Sequence, residues 1–135
     1  MIWYFFLFMI FFGPLLWSIM WREDFDGMKT ESQMRRRNEL TVDEFYDQFY
    51  ADSDLSKSTI SRLLNITAEQ FGIKRGQIRP EDNFLQTALG DTIYYVVEIS
   101  EEFRIPDRIT DGDKIDGTFD NIARWVAHQL KCVAR

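Results

Sequence analysis

The first 21 residues, MIWYFFLFMIFFGPLLWSIMW, contain no charged side chain, and nine of them are aromatic. No other feature constrains the chain as strongly. A helix of ~20 apolar residues rising ~1.5 Å each covers ~30 Å, the thickness of a bilayer's hydrocarbon core. Trp3 and Tyr4 stand at one end and Trp17 and Trp21 at the other, where rings settle at the two membrane interfaces. Gly13-Pro14 in the middle is a kink of the kind membrane helices tolerate. A cleaved signal peptide would need a basic leader and a small-residue cleavage site, and neither is present. The alternative of a buried core helix fits the length less well, so residues 1–21 are expected to form a transmembrane anchor.

The charges that follow set the orientation. Arg22, Lys29 and Arg35-Arg36-Arg37 come after the span and no Lys or Arg precedes it, so the positive-inside rule puts the body on the cytoplasmic side of a single-pass membrane protein. The triple arginine reads as a solvated stop signal, with contact to anionic headgroups as the alternative. Residues 22–39 have sparse apolar positions and no clean period, and are expected to be a juxtamembrane tether. The single cysteine, Cys132, excludes an internal disulfide and suits a reducing compartment. On a cytoplasmic helix the sequon Asn65-Ile66-Thr67 is a chance match.

The body, residues 40–135, carries more acids than bases within a chain of net charge −6. That balance disfavours nucleic acid and suits a partner protein with a basic surface. Thr41 with Glu44 three residues on forms a capping box, with Leu40 and Phe45 as hydrophobic staple, and the helix they start should end near Tyr50. From Ser58, Ile60, Leu63, Leu64, Thr67 and Phe71 trace one apolar stripe, and Gly72 stands where a left-handed C-cap belongs. A long connection follows, anchored by Ile73, Ile78, Phe84, Leu85 and Leu89, with a turn at Arg79-Pro80-Glu81-Asp82. A third helix starts at Asp91, with Ile93, Val96, Val97, Ile99 and Phe103 facing inward and Tyr94, Glu98, Glu101 and Glu102 outward. The next stretch, with Ile105, Ile109 and Ile115 as anchors, leads to a last helix from Thr118 that buries Phe119, Ile122, Val126 and Leu130, with Trp125 on its flank. No segment alternates as a strand does, so the body is expected to be an all-α bundle.

Four short motifs occur in order. Glu69-Gln70-Phe71-Gly72-Ile73 ends a helix, Arg79-Pro80-Glu81-Asp82-Asn83-Phe84 lies in the long loop, and Glu101-Glu102-Phe103 closes an acidic helix. Lys114-Ile115-Asp116-Gly117-Thr118-Phe119 precedes the last helix. Over residues 58–130 this succession resembles the acyl carrier protein family. The resemblance implies an acyl-carrier-like four-helix bundle with an extra N-terminal helix, preceded by one transmembrane helix. It also implies that partner proteins read the acidic helix, through Asp91, Tyr94, Glu98, Glu101 and Glu102. The family attaches 4'-phosphopantetheine to a serine. Counting forward from Phe84 places Thr92 at that position, and counting back from Glu101 places Leu89 there. Ser100 lies well inside the helix on its apolar side. The extra methyl of threonine restricts χ1 and crowds a modifying enzyme, so the attachment site reads as degenerate, with Thr92 left to cap or face solvent.

Other chemistry is thin. His128 sits on the exposed side of the last helix and reads as solvated, and Cys132 as an inert thiol. Asp107, Asp111, Asp113 and Asp116 lack the spacing of a calcium loop, so no metal site is expected. No phosphate loop, nucleophile elbow or zinc-protease motif is present, and no enzyme activity is expected. The expected function is a membrane-anchored carrier-like module that binds proteins through its acidic helix without a prosthetic arm. The alternatives are a working carrier using Thr92 and a non-carrier structural subunit of a membrane complex.

Overall fold

Every regular element among the residues that the computed structural model describes, 31–85, 92–106 and 116–135, is helical. Helix α1 spans Val42–Phe49, α2 Lys57–Phe71, α3 Thr92–Glu102 and α4 Phe119–Val133, with a 3-10 turn at Arg75–Gln77. The expected anchor over residues 1–21 lies outside the described residues. Among those described, no helix is long and apolar enough to cross a membrane.

Local chemistry starts each helix. Thr41 Oγ1 accepts from Glu44 N at 3.2 Å while Glu44 Oε2 accepts from Thr41 N at 2.8 Å, the reciprocal capping box. Those bonds favour the ionised form and hold the Glu44 carboxyl below its usual pKa. Ser56 caps α2 by accepting from Thr59 N, so the helix begins at Lys57, one residue earlier than expected. At α4, Thr118 Oγ1 takes Asn121 N, Asp82 O takes Phe119 N at 2.9 Å and Pro80 O takes Asp120 N at 3.0 Å. The first-turn donors of α4 are therefore met by its own cap and by the 79–82 turn. That turn is closed by Asp82 N on Arg79 O and by Arg79 N on Asp82 Oδ2.

Helix α2 is the hub, in contact with α1, α3 and α4. Its stripe of Ile60, Leu63, Leu64, Thr67 and Phe71 is buried, as expected from its period. Two aromatic clusters tie the elements together. Phe45 meets Phe49, Tyr50 and Phe119 at centroid distances of 5.1 to 5.8 Å, joining α1 to α4. Phe71 meets Phe84 at 5.0 Å and Tyr95 at 4.9 Å, joining α2, the long connection and α3. Ile73, Ile78 and Phe84 are buried, so the connection packs down onto the core.

Three expectations need correction. The tether does not extend to residue 39: residues 31–35 are helical and Met34 is fully buried in the core. A single methionine carries this docking together with backbone and side-chain hydrogen bonds, so no apolar period announced it. The triple arginine is not wholly a solvated run, because Arg37 Nη1 binds both carboxylate oxygens of Asp82, at 2.8 and 2.6 Å. Helix α3 turns Tyr95, Ile99 and Phe103 into the core, while Val96 and Val97 are only half-buried. The i, i+4, i+8 line of larger side chains meets α2 where two valines would leave the gap unfilled.

Helices α2 and α3 both end on a residue in the left-handed region, Gly72 at φ 62° and Arg104 at φ 52°. After α3, Ile105 N reaches back to Ser100 O at 2.9 Å and Arg104 N to Glu101 O at 3.2 Å, closing the helix end. Only glycine adopts such a φ without a steric cost. Gly72→Ala is therefore expected to lose about 1 kcal/mol and Arg104→Gly to gain up to about 1 kcal/mol, as opposite shifts in the denaturation midpoint.

Candidate acidic docking groove

The outward residues of α3 form a stripe: Tyr94, Glu98 and Glu101 follow one another at four- and three-residue spacing on one helical face. Tyr94 is 67% exposed, the most accessible large apolar side chain among those described. Glu98 is half-buried and Glu101 exposed. Across from them α2 presents Arg62, Asn65, Ile66 and Glu69. The two helices enclose an open groove of about 470 Å³ lined by these four together with Glu98, Glu101 and Glu102.

Four carboxylates and one guanidinium line the groove, and they are not equivalent. Arg62 Nε donates to Glu102 Oε1 at 2.8 Å, its Nη2 donates to the Glu102 carbonyl at 2.6 Å, and the guanidinium lies 4.5 Å from the Phe103 ring centroid. Glu102 is thus committed within the fold, although an ion pair this exposed adds at most ~1 kcal/mol. Among the described residues no cation is paired with Glu69, Glu98 or Glu101. These three leave the groove acidic beside an exposed phenol, a chemistry suited to a partner's Lys or Arg side chains.

Of the residues expected at the site, the structure brings Tyr94, Glu98 and Glu101 onto one face and turns Glu102 toward Arg62. Thr92 is the first residue of α3, and Asp91 lies outside the described residues. Ser100 is buried and its Oγ donates to Val96 O at 3.0 Å, so it is spent on the helix backbone. The sequence reading missed Arg62 and Glu69. Their signal was the polar line Arg62, Asn65, Glu69 at helical spacing on the side of α2 opposite its apolar stripe. Asn65 is also used in the fold, accepting from Arg75 Nη1 at 2.8 Å.

The remaining candidates stay apart from this groove. His128 and Cys132 are exposed one turn apart on α4, with Nδ1 3.9 Å from Sγ. Asp116 is drawn into the α4 start. Hydrogen bonds from Asn121 first, then from the Thr118 backbone and hydroxyl, hold its carboxyl below the ordinary aspartate pKa. Asp107, Asp111 and Asp113 lie outside the described residues, and among those described no three His, Cys, Asp or Glu side chains are grouped to hold a metal ion. No family model, curated protein or solved structure matches the chain.

Proposed function

We propose that the chain is a membrane-anchored, acyl-carrier-like helical module that binds a protein bearing a basic patch and works without a phosphopantetheine arm. The observation that carries this reading is the groove between α2 and α3. Its carboxylates Glu69, Glu98 and Glu101 have no cationic partner among the described residues and stand beside the exposed Tyr94. The order of carrier-like motifs along the sequence supports the family likeness, and the uncharged first 21 residues support the anchor. Anchoring raises the effective concentration of a bound partner at the membrane, so a modest docking affinity suffices.

The test reverses the unpaired charges and leaves Glu102, which belongs to the Arg62 contact. In an affinity purification, Glu98→Lys with Glu101→Lys should remove the partners that wild type retains, a loss of tenfold or more in recovered protein at ~1.4 kcal/mol per decade. Full retention of every partner defeats the docking proposal. The membrane placement is checked separately by alkaline carbonate extraction, where release into the soluble fraction would count against it.

One observation favours the working-carrier alternative. Thr92 begins α3, where the forward count from Phe84 puts an attachment residue. Incubation with coenzyme A and a broad-specificity phosphopantetheinyl transferase, followed by intact mass measurement, decides between the two. An unchanged mass is expected. A gain equal to phosphopantetheine that disappears in Thr92→Ala would establish the carrier role instead.

A further inference from the structure

The fold gathers six cations of this acidic chain. Arg35, Arg36 and Arg37 lie some forty residues from Lys74, Arg75 and Arg79, yet both runs meet at one end of the bundle. Gln77 Nε2 donates to Arg35 O at 2.8 Å, Arg79 Nη2 to Asn38 O at 2.8 Å, and Leu40 N to Gly76 O at 3.0 Å. Gly76 permits this approach, since a Cβ there would stand 2.6 Å from Leu40 O.

Half of these six are neutralised in place. Arg35 pairs with Glu31, Arg37 with Asp82 and Lys74 with Glu39. The other three keep their charge. Arg75 is exposed and bonds to the neutral Asn65 amide, while Arg79 bonds to the main-chain carbonyls of Gly76, Ile78 and Asn38. Arg36 is exposed, with no carboxylate paired to it among the described residues. Glu81, exposed on the same turn, offsets one of these charges and leaves the end basic.

We propose that this end of the bundle is a second interaction surface that lies against an anionic lipid leaflet, with Arg36 and Arg75 reaching the headgroups. Two arguments select a membrane as the occupant. Guanidinium forks match headgroup phosphates and carboxylates, and cations held near an anionic leaflet are drawn to it within a Debye length. The position in the chain also favours it. Residues 22–30 separate the aromatic run from the folded body, and at ~3.3–3.6 Å per residue they span at most ~30 Å. Because the segment 31–40, a strap docked on the body through Met34 and Arg37, enters the fold at this end, an anchor holds the basic end nearest to the bilayer. A long polyanion such as nucleic acid would also meet the carboxylates of the rest of the body, which a flat leaflet touching one end does not. The inference rests on the membrane placement proposed above.

The test uses the full chain in nanodiscs of phosphatidylcholine alone or mixed with phosphatidylserine. Co-elution with the discs reports the anchor, and hydrogen exchange reports the surface. Amides of 35–40 and 74–79 should exchange about tenfold more slowly on the anionic discs. High salt should remove the difference, and amides near the end of α4 should exchange equally on both. Arg36→Glu with Arg75→Glu should abolish the lipid dependence, and the milder Arg36→Gln with Arg75→Gln should reduce it if the glutamates disturb folding. Equal exchange on both discs, or slowing that persists in both variants, overturns the inference and leaves the anchor standing. A chain that elutes apart from both discs defeats the placement itself and the inference with it.

Discussion

Replacing Arg37 by alanine is expected to destabilise the folded body by about 3 kcal/mol, seen as a lower urea midpoint in helical circular dichroism. Asp82 is 4% exposed, and the Arg37 guanidinium contacts both of its carboxylate oxygens. Removing the arginine leaves a buried carboxylate with the Arg79 backbone N–H as its remaining donor. Breaking such a pair from one side costs about 3–5 kcal/mol, because the surviving charge keeps its desolvation penalty without compensation. The low end applies because the Arg37 side chain is itself 27% exposed. The loss propagates, since Asp82 also offers its carbonyl to Phe119 N at the start of α4. Arg37→Ala combined with Asp82→Asn should recover part of the loss, as the unpaired charge is then gone. A single-variant cost below about 1 kcal/mol would show that water already compensates Asp82 and that the strap contributes little. Deleting residues 1–39 should cost at least as much as Arg37→Ala, because Met34 leaves the core as well.

This strap marks the limit of what the sequence reveals. Elements whose signals are local were legible. The Thr41–Glu44 box, the period of α2, the left-handed end at Gly72 and the start of α4 at Thr118 each need only a few neighbouring residues, and each forms as expected. The strap depends on partners far along the chain, Arg37 with Asp82 at a separation of 45 residues and Gln77 with the Arg35 carbonyl at 42. Its one buried apolar side chain, Met34, sets no period. The candidate site divides in the same way. The outward glutamates of α3 follow from helical geometry, since any helix with an apolar line puts the opposite residues in water. That Arg62 would claim Glu102 and leave Glu98 and Glu101 open depends on how α2 and α3 are packed. So does the pairing of the acidic stripe with Glu69.

Tyr95 supplies the second large effect, and it shows why α3 packs against α2 as it does. Its ring is fully buried, 4.9 Å from Phe71 and 6.3 Å from Phe84 by centroid. Its hydroxyl lies 2.9 Å from Thr67 Oγ1, and Thr67 Oγ1 donates its proton to Leu63 O at 2.7 Å. With that proton committed, Tyr95 is the donor in the pair. The bond requires a neutral phenol, and burial keeps the tyrosine's pKa raised, so it remains a donor across the physiological range. Two substitutions separate packing from polarity. Tyr95→Ala removes the ring from the joint between α2, α3 and the long connection and should cost about 3–5 kcal/mol. Tyr95→Phe keeps the ring and loses one neutral hydrogen bond, for about 1 kcal/mol. Thr67 retains Leu63 O as acceptor, so its hydroxyl is not left orphaned. Thermal denaturation of the two variants beside wild type checks the pair. Equal losses would mean that the hydroxyl, and not the ring, holds α3 in place. A small loss for both would mean that the groove rests on a joint far looser than this packing implies. If the large and small losses appear in the stated order, Tyr95→Phe becomes the control of choice for binding, since it changes the inner side of α3 and leaves Tyr94, Glu98 and Glu101 in position.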